Sequence, residues 1–176
     1  MLGAIRKVWR ALYLNRLIKH GLVVGGDFQM EKGCNIDANF PWLIEIGNNV
    51  TFASNVCLLA HDGSTKKLLC YSKVGKVSIG NDVFIGYGSI VMPNVRIGNG
   101  CVVGANSIVT HSLPDGVVAA GSPAKVLMTI QDFKEKAKST TEGRGPYESE
   151  YLRGSITPER IKRMREELES GMGLIL

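Results

Sequence analysis

The chain has 176 residues, 44% of them hydrophobic, which suits one domain with a short appendage. Its formal charge of +5 and pI near 9.1 favour an anionic partner, yet the basic residues are not interleaved with aromatics as in nucleic-acid modules. The four cysteines (Cys34, Cys57, Cys70 and Cys101) show no CxxC or paired spacing, which argues against a disulfide framework or zinc site and for a reducing, cytoplasmic location.

Residues 1–21 open with Leu2, Ile5, Val8, Trp9, Leu12, Leu17 and Ile18 at roughly helical spacing, with Arg6, Lys7, Arg10, Arg16 and Lys19 between them. The apolar run is too short to span a bilayer and lacks a signal-peptide core and cleavage site. Two readings follow. The helix packs on the end of the fold, or its basic face lies on the inner face of a membrane.

From Val24 a six-residue frame runs as VGGDFQ, MEKGCN and IDANFP, with Asp27, Gly33 and Asn39 at the fourth, turn-forming position. Residues 42–45 (WLIE) shift the frame, which resumes at Ile46 as IGNNVT and FASNVC, turning at Asn49 and Asn55. The next block, LLAHDG, carries His61 where the others carry a turn residue. Directly after it comes a polar excursion, residues 62–76, and insertions in solenoids project as loops that often mark the binding face. His61 at the mouth of that loop is therefore the leading candidate for acid/base chemistry, the alternative being an exposed turn histidine without a role.

The frame then runs unbroken over residues 79–114. Ile79, Ile85, Val91, Ile97, Val103 and Val109 open the blocks, and Asp82, Gly88, Asn94, Gly100, Asn106 and Ser112 stand fourth. Gly, Asn and Asp accept left-handed backbone angles, so an inward aliphatic and a turn recur every six residues. That is the period of a parallel β-helix, which neither a plain strand nor a helix produces. The repeats are expected over 22–128, and residues 129–156 read as polar and irregular. A helix is expected near 158–170, with Thr157 as N-cap, Pro158 at its first position and Gly171 as C-cap.

The hexads, His61 ahead of an excursion, and the closing Ala119-Ala120-Gly121-Ser122-Pro123-Ala124-Lys125 together resemble the hexapeptide-repeat acyltransferases of the galactoside, maltose and xenobiotic type. Sugar and polysaccharide O-acetyltransferases are closest in look, His61-Asp62-Gly63-Ser64-Thr65 included. The resemblance covers about residues 22–130. It implies a left-handed parallel β-helix with eighteen residues per turn, so that Ile79, Ile85 and Val91 stack under Ile97, Val103 and Val109. It further implies a homotrimer with active sites between subunits, acetyl-coenzyme A as acyl donor, and a sugar or glycan hydroxyl as acceptor.

Residue by residue, the resemblance makes His61 the general base and the Tyr87 amide the oxyanion donor, without an acyl-enzyme. It places Tyr87, Ala105, Thr110 and His111 along the coenzyme, His111 standing where a lysine is common, and Lys125 near the phosphates. Asn39, Asp62 and Tyr71 fall on the acceptor side. The partner that fixes the His61 tautomer is open between adjacent Asp62 and a carboxylate or carbonyl elsewhere. Alternatives are N-acetylation of an amino sugar and a metal enzyme like γ-carbonic anhydrase. The second needs three histidine ligands, two of them closely spaced, which His20, His61 and His111 do not supply, so no metal is expected.

Overall fold

The computed structural model describes residues 2–176, with side chains from residue 10 onward. It divides into two compact units, residues 1–130 and 131–176. The first is a β-helix of short parallel strands on three faces. Face one carries Val23–Val24, Ile44–Ile46, Val77–Ile79 and Val95–Ile97. Face two carries Gln29–Met30, Thr51–Phe52, Phe84–Ile85, Val102–Val103 and Val117–Gly121, closed at its edge by the antiparallel strand Ala124–Thr129. Face three carries Asn35–Ile36, Cys57–Leu58, Ile90–Val91 and Ile108–Val109. The coil winds left-handed, against the usual right-handed crossover.

The expected stacks form: Ile79 pairs with Ile97, Ile85 with Val103, and Val91 with Val109. First-position aliphatics point inward and build a continuous core in which Phe52, Ile85, Leu58 and Ile97 are fully enclosed. Burying such a side chain contributes about 1.5–3 kcal/mol, and here each contact repeats from coil to coil. Cys101 packs in this core as a small apolar residue, and all four cysteines are free thiols. Burial pushes the Cys34 and Cys57 thiols above their ordinary value, away from the reactive thiolate.

The coils differ in length at one place only. Val24 pairs with Ile46, Ile46 with Ile79, Ile79 with Ile97, and Ile97 with Leu113, advances of 22, 33, 18 and 16 residues. Faces two and three advance by the same 22, 33 and 18, as in Met30–Phe52–Ile85–Val103 and Ile36–Leu58–Val91–Val109. Every insertion therefore falls between face three and face one, at the third corner. The turn rule fails there too. Asp27, Asn49, Asp82, Gly100 and Gly116 at the first corner, and Gly33, Asn55, Gly88 and Asn106 at the second, all have positive φ. Of the fourth block positions at the third corner only Asn94 does, while Asn39, His61 and Ser112 do not. Reading Asn39 as a left-handed turn is thus corrected, because a longer connection follows it and relieves the tight bend.

The other corners also pack more closely. A Cβ at Gly86 would lie 2.6 Å from the Ala105 nitrogen of the next coil, so that position must be bare. The equivalent positions at the third corner hold Asp37, Leu59, Met92 and Thr110, which have room for side chains.

Helix α1 (Leu2–Lys19) precedes the first coil. The side chains of Leu2, Ile5, Arg6, Lys7, Val8 and Trp9 lie outside those described, but Leu17 is buried and Tyr13 and Leu14 pack on the core. The Tyr13 hydroxyl donates to the Ile36 carbonyl at 2.9 Å and accepts from the Ile36 N–H at 2.9 Å, and Arg10 donates to the Met30 carbonyl at 2.5 Å. The helix thereby satisfies backbone groups of the first coil that no further coil covers, which favours the end-packing reading. Among the described residues no helix is long and apolar enough to cross a membrane.

The excursion is ordered: His61–Asp62 pairs antiparallel with Lys73–Val74, and helix α2 (Lys66–Leu69) lies between them. The stretch read as irregular contains helix α3 (Ile130–Thr141), followed by Gly143 at φ +76. Ile130, Phe133 and Ala137 supply a helical apolar spacing among strong helix formers, a signal that the abundance of polar residues obscures. Helix α4 (Pro158–Glu167) starts as expected at Thr157, whose hydroxyl accepts from the Arg160 N–H at 3.4 Å. It stops earlier than expected, with Leu168 rather than Gly171 as its cap, and Gly171 does not have positive φ.

Candidate active site

The third corner brings together residues that the pattern alone does not connect. Asp37 follows the face-three strand of the first coil and is buried, and His61 lies one coil on, at the start of the excursion. One Asp37 oxygen, Oδ2, accepts from the Ala60 N–H at 3.0 Å, the His61 N–H at 3.1 Å and His61 Nδ1. The other, Oδ1, accepts from the Asn39 N–H at 3.0 Å. A buried carboxylate needs such a set of donors to be tolerable, and these four hold it rigidly. Because the carboxylate only accepts, Nδ1 carries a proton, and in the neutral imidazole Nε2 keeps its lone pair. Nε2 has no hydrogen-bond partner among the described residues, and the imidazole is about one-third exposed. This is the tautomer and orientation that a general base requires.

Asp62 is not that partner. Its carboxylate takes the Lys73 ammonium at 2.6 Å and the Ser64 N–H at 2.8 Å, closing the base of the excursion. Lys73 holds the Asp62 carboxyl down at about 2. Asp37 is the residue that sequence reasoning missed. Its one signal is a carboxylate at the second block position, which at the first corner is glycine in the first four coils.

The other expected site residues fall into separate groups. Asn39, Thr110 and His111 share the third corner with His61, the Thr110 hydroxyl lying 2.8 Å from His111 Nδ1. Asp62, Lys73 and Val74 of the excursion line a groove of about 560 Å³ with Met92, Pro93, Asn94 and Thr110 of the coils. Tyr71 is 79% exposed near the excursion's tip, away from that groove's lining. Lys125 is on the closing antiparallel strand, opposite Ala120.

Tyr87 and Ala105 lie at the second corner, across face three from His61, so one chain does not bring the base and these amides together. The two corners without insertions differ in chemistry. At the first, the third-position amides are covered by a side-chain ladder. Gly26, Asn48, Asn81 and Asn99 N–H groups donate in turn to Asn48, Asn81, Asn99 and Asp115 at 2.8–3.0 Å. At the second, the Tyr87 and Ala105 N–H groups have no acceptor among the described residues, and neither has that of Ser54 one coil earlier. The Tyr87 hydroxyl accepts from the Asn55 side chain at 2.8 Å. Among the described residues no three His, Cys, Asp or Glu side chains cluster as metal ligands, and His20 instead contacts the Arg16 carbonyl at 2.7 Å.

Comparison with known proteins agrees with this architecture. Residues 76–111 match the model for the bacterial transferase hexapeptide (six repeats). The chain is 39% identical over 132 residues to Protein CapG of Staphylococcus aureus, covering 72% of this chain and 77% of that one. It is 40% identical over 111 residues to the galactoside O-acetyltransferase of Escherichia coli (strain K12), covering 57% of this chain and 54% of that one. Among solved structures it superposes on a maltose O-acetyltransferase from Clostridium difficile 630 with a TM-score of 0.55 and 33% identity, over 62% of this chain and 59% of that one. The chain belongs to the hexapeptide-repeat transferase family, and relatives it matches are named acetyltransferases. It spans little more than half the length of the galactoside and maltose relatives.

Proposed function

We propose that this protein is an acetyl-coenzyme A dependent O-acetyltransferase that acylates a hydroxyl of a sugar or cell-surface glycan, with His61 as general base. The observation that carries the reading is the Asp37–His61 pair, which protonates Nδ1 and turns a free Nε2 outward. An acceptor hydroxyl gives its proton to Nε2 as its oxygen attacks the thioester carbonyl, and buried Asp37 stabilises the imidazolium that forms. The tetrahedral oxyanion takes a hydrogen bond from the open Tyr87 amide. Collapse breaks the carbon–sulfur bond, and the thiolate recovers the proton from His61. No acyl-enzyme is needed.

His61 and Tyr87 lie on different corners of one chain, so the complete site forms between subunits of a homotrimer, the third corner of one against the second corner of its neighbour. Ala105, Thr110, His111 and Lys125 line the coenzyme in this reading. Asn39, Asp62 and Tyr71 face the acceptor, Asp62 by bracing the excursion through Lys73.

The test is thiol release from acetyl-coenzyme A across a panel of sugars, amino sugars and oligosaccharides. A product that loses acetate in mild alkali is the expected ester, whereas an alkali-stable product is an amide and converts the assignment to N-acetylation. Failure of coenzyme A to raise the melting temperature would overturn the donor assignment.

A further inference from the structure

Phe40 contacts both His61 and an indole: its ring centroid lies 5.2 Å from the imidazole and 5.6 Å from the Trp42 ring, the latter edge to face at 68°. Trp42 belongs to the 3-10 turn Pro41–Leu43, part of the insertion that lengthens the first coil at the third corner. Pro41 beside it is buried, yet the indole is 56% exposed. Its placement is enforced from behind. Gly21, just after α1, has φ +99, and a Cβ there would lie 2.8 Å from Trp42 Cβ, so the glycine clears the ground on which the tryptophan stands. A large, mostly exposed aromatic thus stands against the Gly21 backbone at its root, within one ring of the candidate base.

We propose that Trp42, backed by Phe40, is the platform on which the acceptor's pyranose ring stacks when its hydroxyl meets His61, an inference that rests on the acetyltransferase reading. A pyranose has an apolar patch of C–H bonds whose hydrogens carry slight positive charge, and the indole face carries the matching negative quadrupole. Polar ligands alone orient a sugar poorly in water, because each hydrogen bond replaces one already made to solvent. A preformed aromatic plane adds apolar burial at little cost in side-chain entropy.

The experiment uses the full chain with Trp42→Ala and Trp42→Phe, acetyl-coenzyme A, and the best carbohydrate acceptor from the panel. Trp42→Ala is expected to raise acceptor KM about tenfold, with the KM for acetyl-coenzyme A, the melting temperature and the assembly mass unchanged, and Trp42→Phe to restore most of the loss. Because Trp9 is the other of the two tryptophans, a Trp9→Phe background isolates the indole, and acceptor titration should change its fluorescence. An unchanged acceptor KM in Trp42→Ala overturns the platform. So does a loss of assembly mass with both KM values rising together, which marks Trp42 as a contact between copies. Wild-type protein that acetylates no carbohydrate at all overturns the acetyltransferase reading itself, a result distinct from either.

Discussion

Asp37→Asn keeps the shape of the buried side chain while removing its charge and one acceptor. Three donors converge on Oδ2 and one on Oδ1, so the amide fits best with its oxygen in the Oδ2 place, still receiving Ala60 N–H, His61 N–H and His61 Nδ1. Its NH2 then faces the Asn39 N–H, donor against donor. Losing that bond at a buried group lowers stability by about 1–3 kcal/mol. In the reaction, the imidazolium that forms meets an amide oxygen in place of a carboxylate and loses its ionised partner, at a cost of about 1.5–3 kcal/mol, the range for bonds to charged groups, so kcat should fall roughly ten- to a hundredfold. Initial rates of thiol release at saturating substrates, with a melting curve beside them, separate the two effects. A variant that melts lower but keeps kcat within about twofold of wild type would refute the positioning of His61 by Asp37.

Three further outcomes follow from the scaffold. Tyr13→Phe strips the Ile36 N–H and carbonyl of their partner, and a urea denaturation should show a loss of about 1–3 kcal/mol; an unchanged midpoint would contradict the capping role of α1. Asn81→Ala interrupts the first-corner ladder by leaving the Asn48 N–H to water, with an expected loss of about 0.5–1.5 kcal/mol and no effect on transfer, and a fall in kcat would mean that this corner is not merely structural. Asp62 has a folded pKa of about 2, below the ordinary carboxylate value, so its pairing with Lys73 contributes fully above about pH 4 and is lost as pH falls toward 2. Hydrogen exchange of the excursion, corrected for intrinsic rate, should therefore show equal protection at pH 7 and pH 5 and a decline only below about pH 4; loss of protection between pH 7 and pH 5 would contradict the pairing.

Much of the scaffold is legible because a solenoid writes its geometry locally. An aliphatic such as Ile85 and a turn residue such as Gly88 report the same corner in every coil, and the frame slips at 42–45 and 62–76 coincide with the lengthened coils. The site is less legible, since it lies where the pattern lapses. His61 stands out as an exception to the turn rule, but nothing in the period ties it to Asp37, 24 positions earlier, because that distance includes the first coil's insertion. The partner of the imidazole, open in the sequence between Asp62 and a group elsewhere, is settled by the backbone: it is Asp37. Adjacent residues in an extended pair point to opposite sides, so Asp62 turns to Lys73 while His61 turns to Asp37. Helix α3 escaped notice because Lys and Glu, which look like loop residues by polarity, are good helix formers.

The measurement that bears most directly on the proposed chemistry is the rate of acetyl transfer from acetyl-coenzyme A by His61→Ala, made beside wild-type protein with the same acceptor. His61 is half-buried at the edge of the core and not within its stacks, so the variant should fold and bind coenzyme A. It is expected to lose nearly all transfer while keeping the wild-type melting temperature shift with coenzyme A. A correctly folded His61→Ala protein that transfers acetyl at the wild-type rate would contradict the general-base role of His61.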